Sequence, residues 1–126
     1  MTATHGTVHW TELMTRDVAG ARAFYTATCG WEWDKMPMPD GGEYHTAKLG
    51  DTWVAGVFDM TTMPGSEAMA PQWMTYLAVD DVDATVAATT AAGGHVLQAP
   101  YDVPGVGRIA MITDPGGAML GLMTPS

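Results

Sequence analysis

The feature of this sequence that most constrains its fold is an internal repeat. The 23 residues from Thr11 to Trp33 align without a gap on Thr75 to Leu97, which lie 64 residues further along, and eight of the 23 positions are identical. With a shift of 65 the correspondence continues through three further pairs: Pro39/Pro104, Gly42/Gly107 and Gly56/Gly121. This period is too long for a solenoid. The sequence therefore predicts one module written twice.

Each copy shows the same order of local signals. An alternating segment leads to an Asp, a helical pattern follows, a Gly ends it, and further apolar runs come next, which is the order strand, cap, helix, stop and strand. Asp17 and Asp81 are the predicted caps, and Gly30 and Gly93-Gly94 are the predicted stops. The fold class predicted is α+β, with two tandem βαβββ modules at about 6–58 and 73–125.

Two kinds of segment separate these elements. Residues 59–72 are rich in Met, Pro and Gly without an apolar period, so they are the expected connector. The stretches 36–42, 100–107 and 114–117 contain Pro and Gly in combinations that favour turns over central strands. We expect strands on either side of each stretch.

Length and charge limit the classes of function. A chain of 126 residues can bury one core, whereas a half of about 60 residues is marginal alone, so the halves are expected to form one domain. Five Lys and Arg against 14 Asp and Glu give a net charge of −9, which disfavours binding to nucleic acid and to anionic membranes. No segment predicts a membrane span or a signal peptide. With a single cysteine, Cys29, the chain suits a reducing compartment, and we expect a cytoplasmic protein.

The duplicated βαβββ unit resembles the vicinal oxygen chelate superfamily. The resemblance rests on TELMTRDVAGARAFYTATCGWEW in the first half and TDPGGAMLGLM at the end of the second. This superfamily groups glyoxalase I, bleomycin-resistance proteins, extradiol dioxygenases and fosfomycin-resistance enzymes. The resemblance implies a half-open curled sheet around a cleft, which in most of the enzymes holds a divalent metal, and it implies a cleft formed within one chain or across a dimer.

The ligand positions implied by the resemblance do not carry metal ligands. They fall on the first and last strands of each module, at Trp10, Gly56, Met74 and Gly121. Hard and borderline divalent ions prefer carboxylate, imidazole or carbonyl oxygen, whereas thioether sulfur suits soft ions. We therefore expect no metal and no cofactor at these positions.

Alternation along the strands predicts what faces inward in place of the metal. The expected wall is apolar and aromatic, with two glycines at its centre, and its ligand-binding candidates are Trp10, Met14, Gly56, Phe58, Met74, Met119, Gly121 and Met123. Such apolar concavities are typical of small-molecule sites, and methionine adapts to varied ligands. The alternative is that these side chains fill a core and that the glycines let strands approach each other.

Glu12 is the one carboxylate expected on these inward faces, and Tyr76 is its partner in the repeat. Lost hydration beside Trp and Met should raise the pKa of Glu12, which suits a general acid or base. We predict catalytic roles for both residues, with Tyr76 orienting or protonating a substrate oxygen. The alternative is structural, with Glu12 accepting hydrogen bonds that join the modules.

Two further side chains are candidates at the mouth of the cleft. His45 reaches it if its strand faces inward, and Arg108, in a Gly-rich hairpin turn, can meet an anionic ligand. The leading hypothesis is a homodimer that binds a small apolar or aromatic molecule without a metal. That protein either sequesters the molecule or transfers a proton with Glu12. The alternatives are a metal-dependent lyase or dioxygenase with displaced ligands such as Glu12 and His45, and a purely structural domain.

Overall fold

The computed structural model describes residues 3–38, 42–63 and 65–126 of the chain. Pro39, Asp40 and Gly41, which belong to the predicted turn after the second strand and to the repeat pair Pro39/Pro104, lie outside the described residues, as do Met1, Thr2 and Pro64. None of the helices in this part of the chain combines the length and the apolar character needed to cross a membrane.

The described residues form two α-helices and eight β-strands in the order βαβββ, repeated once. The elements are β1 (Val8–Thr15), α1 (Val18–Cys29), β2 (Glu32–Pro37), β3 (Glu43–Leu49), β4 (Thr52–Asp59), β5 (Gln72–Ala78), α2 (Val82–Ala91), β6 (His95–Val103), β7 (Gly107–Thr113) and β8 (Met119–Pro125). The segment between the modules contains two short 3-10 turns, Met60–Thr62 and Ser66–Ala68. The α+β class and the tandem modules are confirmed.

The chain divides into two compact units, one of residues Trp10–Trp73 and one of Met1–His9 with Met74–Ser126. We call them the first unit and the second unit. The strand order is β2-β3-β4-β1 in the first unit and β5-β8-β7-β6 in the second. In each unit the first strand of the module runs parallel to the last, and the other pairs are antiparallel.

The parallel pairs carry the repeat into three dimensions. Glu12 pairs with Gly56 in the first unit, and Tyr76 pairs with Gly121 in the second. These are the same positions of the two copies, since 12 and 76 differ by 64 and 56 and 121 by 65. The duplication seen in the sequence is therefore a duplication of strand register.

Both helices begin where the sequence predicts. Asp17 accepts a hydrogen bond from the Gly20 amide at 2.9 Å, and Asp81 accepts one from the Ala84 amide at 3.2 Å, so each caps its helix. Gly30 ends α1 with φ of +73°, in the left-handed region that glycine tolerates best.

The core of the second unit lies between its sheet and α2. It contains Val79, Val82, Ala110, Ile112 and Leu122, with Leu77, Val86 and Leu120 packed against them. Val82 and Val86 come from the helix, so this is the helix-bearing face of the sheet. The opposite face is formed by the alternate residues of the same strands.

The first unit holds its helix differently, because α1 has no fully buried residue. The strand side chains on its helix-bearing face, including Ala47, Ala55 and Val57, are buried. Aromatic rings supply further contacts: Tyr25 stacks on Trp31 with centroids 5.0 Å apart and meets Trp73 edge-on at 5.5 Å. Phe24, on the same helix, remains 57% exposed.

The region after α2 differs from the sequence prediction. Strand β6 continues through Pro100 to Val103, where the sequence predicts a loop from Pro100 to Gly107. The strand lies at the edge of its sheet and contains two register shifts, at Val96/Gln98 and Gln98/Tyr101. Proline is tolerated at edges and bulges because no ladder hydrogen bond is lost there.

Candidate functional site

The candidate site of the first unit lies on the sheet face opposite to α1. The pairings of Gly56 with Glu12 and with Thr46 place these three residues on one face of the sheet. Trp10 and Tyr44, each two residues earlier on its strand, share that face because side chains alternate along a strand. Met14 and Phe58, which pair with each other, lie there as well.

A chain of hydrogen bonds connects Trp10, Tyr44 and Glu12. The indole Nε1 of Trp10 donates to the Tyr44 hydroxyl at 3.1 Å, and that hydroxyl donates to the Glu12 carboxylate. Burial, followed by the negative charge of Glu12, raises the pKa of Tyr44 far above its ordinary value. Tyr44 therefore remains a phenol at physiological pH, and Glu12, only 7% exposed, has a fixed donor beside it.

Gly56 leaves room for this chain of hydrogen bonds. A Cβ atom at position 56 would overlap the Tyr44 hydroxyl and would lie 3.0 Å from the Trp10 Nε1. The sequence predicted that glycine leaves space at this point, and in the structure the Tyr44 hydroxyl and the indole occupy that space. Glycine inside a strand often marks such a close approach.

The equivalent face of the second unit is largely apolar. The pairings Tyr76 with Gly121 and Ala78 with Met123 place these residues on the face opposite to α2, together with Met74, Met111 and Met119. Met74 is 1% exposed and Tyr76 5%. A Cβ atom at Gly121 would overlap the Tyr76 ring, so this glycine also lies beneath an aromatic side chain. The predicted Met-rich composition of this face agrees with the observed register.

The two copies differ in the chemistry of matching positions. The position of Tyr44 in the first copy corresponds to Ile109 in the second, and that of Trp10 corresponds to Met74. The second copy therefore lacks the hydroxyl and the indole donor at these positions. The carboxylate with its two fixed partners belongs to the first copy.

His45 does not lie with Glu12. It pairs with Val57, one residue away from the Glu12 position in register, so it is on the face of the first unit that carries α1. Burial, and next the charge of Arg22 on α1, lower the pKa of His45. The structure thus separates the two displaced metal ligands that the sequence suggested, Glu12 and His45, on opposite faces of one sheet.

Arg108 also lies away from the predicted inward face. It precedes Ile109 on β7 and therefore lies on the helix-bearing side of the second unit. Its Nε is 2.7 Å from the Asp83 carboxylate, and its Nη1 is 3.2 Å from the Asp102 carboxylate. Because two carboxylates neutralise this guanidinium, it is not available to an anionic ligand in the predicted way.

The positions at which related enzymes hold a metal do not fit one here. The Trp10 indole donates a hydrogen bond, Met74 offers only a thioether, and the two glycines have no side chain. No group of three His, Cys, Asp or Glu side chains suited to a metal ion occurs within residues 3–38, 42–63 and 65–126. The donor chemistry of these positions is thus that of a packed apolar wall with one acid.

Sequence reasoning assigned Tyr76 as the companion of Glu12 and missed Tyr44. The signal that points to Tyr44 is the hairpin joined at Gly50-Asp51, since it brings Thr46 opposite Gly56 and leaves Tyr44 two residues along on the same face. A glycine in mid-strand with a tyrosine diagonally opposite favours this contact.

Comparison with known proteins gives three kinds of match. The model of the Glyoxalase/Bleomycin resistance protein/Dioxygenase superfamily matches residues 7–122. A protein of Mycobacterium tuberculosis named "Putative glyoxylase CFP32" is 44% identical over 119 residues, covering 93% of this chain and 45% of that protein. The anthracycline biosynthesis protein DnrV of Streptomyces peucetius is 35% identical over 123 residues, covering 90% of this chain and 45% of that protein.

The fold is shared with solved structures at lower identity. Methylmalonyl-CoA epimerase of Streptomyces coelicolor, an E43Q variant in complex with 2-nitronate-propionyl-CoA, superposes with a TM-score of 0.70 at 19% identity, covering 98% of this chain and 99% of that chain. The chain spans about half the length of the curated relatives CFP32 and DnrV. On the family match and these relatives, the chain belongs to the Glyoxalase/Bleomycin resistance protein/Dioxygenase superfamily.

Proposed function

We propose that this protein binds a small, largely apolar or aromatic molecule on the strand faces opposite its helices and that Glu12 acts there as a general base. The observation that carries the proposal is the buried Glu12 carboxylate with the Tyr44 phenol as its donor. A carboxylate in apolar surroundings, held by a fixed hydrogen bond, is suited to taking a proton from a bound substrate.

The hydrogen bonds give each residue a defined role. Trp10 donates to Tyr44, so the phenol oxygen is fixed and its proton points to Glu12. Tyr44 is a positioning residue: it holds the carboxylate in one orientation. When Glu12 takes up a proton it becomes neutral, and the Tyr44 proton is then free to reorient, which compensates for the lost charge-assisted bond.

The apolar side chains favour a ligand with few charges. Met14 and Phe58 share the Glu12 face, and Met74, Met111 and Met123 share the Tyr76 face. Methionine adapts to flat and irregular surfaces alike. One relative takes part in anthracycline biosynthesis according to its name, which is consistent with an aromatic ligand. We propose metal-free chemistry because the donor set described above does not suit a divalent ion.

Glu12→Gln is the test of the catalytic role. We expect native mass spectrometry to show the same co-purified small molecule on the Glu12→Gln variant as on the unchanged protein. In D2O, hydrogen exchange next to the carbonyl of a panel of aromatic ketones, followed by proton NMR, should fall at least about 100-fold, as is typical for loss of a general base.

Glu32→Gln is the matched control, because it makes the same chemical change at an exposed position of the same unit. It should leave both measurements unchanged. Exchange that persists in Glu12→Gln would leave the protein with a binding role alone. Absence of any bound small molecule and of any exchange in the unchanged protein would contradict the proposal as a whole.

We also propose that the protein acts as a homodimer. The curated relatives CFP32 and DnrV are about twice as long as the matched region, so a second region of similar size accompanies the matched one in them. In this protein a second copy of the chain can take that place.

A further inference from the structure

The helix-bearing face of the first unit contains a cation that the site described above does not use. Three of the five basic residues are in ion pairs: Lys35 with Glu43, Lys48 with Asp34, and Arg108 with two carboxylates. Arg16 donates to the Met69 carbonyl at 2.8 Å. Arg22, on α1, has no carboxylate at ion-pair distance within the described part of the chain, and its buried Nε has no hydrogen-bond partner there.

A second nitrogen on the same face is also unsatisfied. The Nδ1 of His45 is buried and has no hydrogen-bond partner among the described residues, and the charge of Arg22 helps to lower the pKa of His45. Buried polar atoms without partners are costly and uncommon in native structures. Both atoms belong to groups that carry or can carry positive charge, so the group that would satisfy this region is an acceptor with negative charge.

The nearest carboxylates are already engaged. Glu43 and Asp59 both act on His45 electrostatically. However, Glu43 is 3.2 Å from the Lys35 ammonium, and Asp59 accepts hydrogen bonds from the amide and the hydroxyl of Thr61. In a chain of net charge −9, an arginine left without an acidic partner is unexpected unless something else supplies the anion.

Arg22 borders an open groove of about 500 Å³ between α1 and β2. The groove is lined by Ala19, Arg22, Ala23, Thr26, Ala27 and Trp33. The guanidinium lies over the Trp33 ring at 5.8 Å, and the Trp33 indole donates to the Thr26 hydroxyl at 2.8 Å. The groove therefore combines a flat aromatic wall, small apolar side chains and one uncompensated cation.

We propose that this groove binds a small organic carboxylate, with the carboxylate on the Arg22 guanidinium and an apolar or aromatic body against Trp33 and the alanines. The planar fork of arginine matches a carboxylate through two parallel hydrogen bonds, and its stacking on the indole fixes the orientation of that fork. Sites of this kind, mostly apolar with one charged group, are typical of small-ligand pockets. The groove is on the opposite sheet face from Glu12, so it is independent of the proposed proton-transfer site.

Benzoate and its neutral analogue benzamide are the probes for this site. The measurement is NMR of the ¹⁵N-labelled protein, following the Nε–H signals of Arg22 and Trp33. Benzoate should shift both signals saturably, and benzamide should bind at least about tenfold more weakly, a difference of about 1.4 kcal/mol. Equal binding of the two probes, or shifts that avoid both signals, would overturn the proposal.

Three variants separate the site from general charge effects. Arg22→Met should abolish the benzoate response, whereas Arg22→Lys should fold normally and bind severalfold more weakly because it keeps the charge and loses the fork. Lys48→Met removes a cation that also lies over a tryptophan, 5.6 Å from Trp53, but is paired with Asp34. It should leave benzoate binding unchanged, as should Glu12→Gln. Loss of binding in Lys48→Met equal to that in Arg22→Met would show a net-charge effect and overturn the proposal.

Discussion

The hydroxyl of Tyr44 lies between a donor, the Trp10 indole, and an acceptor, the Glu12 carboxylate. Its removal leaves both groups without this partner in a buried environment, which is more costly than the bond itself is favourable. The residue therefore links stability to the proposed chemistry. Two predictions at the scale of single residues follow from its position.

Tyr44→Phe should change how stability depends on alkaline pH. The pKa of Tyr44 is raised in the folded protein above its ordinary value of 10.0, first by burial and next by Glu12. Above pH 10 the unfolded chain loses this proton while the folded chain keeps it, so the contribution to stability is complete below pH 10 and falls as the pH rises further.

The measurement is urea unfolding between pH 8 and 11.5. The unchanged protein should lose stability above pH 10 faster than Tyr44→Phe, by up to about 1.4 kcal/mol per pH unit. Tyr101→Phe, at an exposed tyrosine, serves as the control and should follow the unchanged protein. Parallel curves for Tyr44→Phe and the unchanged protein would contradict the assignment of this proton.

Gly56→Ala should destabilise the first unit. The added methyl group overlaps the Tyr44 hydroxyl, and the ring cannot move away without breaking its bonds to Trp10 and Glu12. We expect a loss of about 1–3 kcal/mol in the free energy of unfolding, which is typical of overpacking. Gly116→Ala, where the nearest atom is 3.5 Å away, should be close to neutral.

A double-mutant cycle measures whether Tyr44 is responsible. Because Tyr44→Phe removes the overlapping oxygen, the loss caused by Gly56→Ala should be smaller in the Tyr44→Phe background. An unchanged loss in that background would mean that the strain lies in the backbone of β4. Chemical denaturation is sufficient for all four proteins of the cycle.

At the scale of elements, the two helices are capped alike but packed differently. Asp17 and Asp81 each accept a hydrogen bond from the amide three residues later. However, α2 contributes Val82 and Val86 to a core, while α1 has no fully buried residue. Helices with few buried contacts open locally without unfolding of the whole domain.

Removal of each cap should therefore have different effects. Asp17→Ala should increase amide hydrogen exchange within α1 by roughly fivefold, which corresponds to a lost cap of about 1 kcal/mol, with little change in the global melting temperature. Asp81→Ala should lower the melting temperature instead. Hydrogen exchange read by mass spectrometry, with calorimetry on the same samples, distinguishes the two; equal effects on both readouts would refute the difference.

Elements with local signals were predictable from the sequence, and those that depend on register were not. The caps at Asp17 and Asp81 and the stop at Gly30 depend on a few neighbouring residues, and all three occur as predicted. The facing of β3 depends on how its hairpin pairs, because both of its faces mix polar and apolar residues. His45 was for this reason placed with Glu12, and Tyr44 was overlooked.

The same distinction explains the errors in the second unit. Arg108 lies in a segment whose turn chemistry is clear, but its two carboxylate partners come from α2 and β6, which are distant in sequence. Pro100 was taken as the end of a strand because proline lacks an amide donor, whereas an edge strand does not need that donor. Tertiary pairing decided both cases.

At the scale of the whole molecule, charge and length bear on assembly. Two copies of a chain with a net charge of −9 repel each other, and salt screens that repulsion. If the proposed homodimer is held by apolar contacts, its dissociation constant should decrease as the salt concentration rises. Sedimentation equilibrium at about 0.02 M and 0.5 M NaCl is the measurement; a dimer that weakens with salt would show that ion pairs hold it, and a monomer throughout would contradict the dimer.

The matching registers of the two halves have a consequence for how such a protein can change. Since Glu12 and Tyr76 occupy the same place over glycines that also correspond, the acid and its neighbours form a cassette that either half could house. One half has kept the ionisable version and the other the greasy version. A duplicated ancestor could thus divide its labour, with one copy free to alter what is recognised while the other preserves what is done.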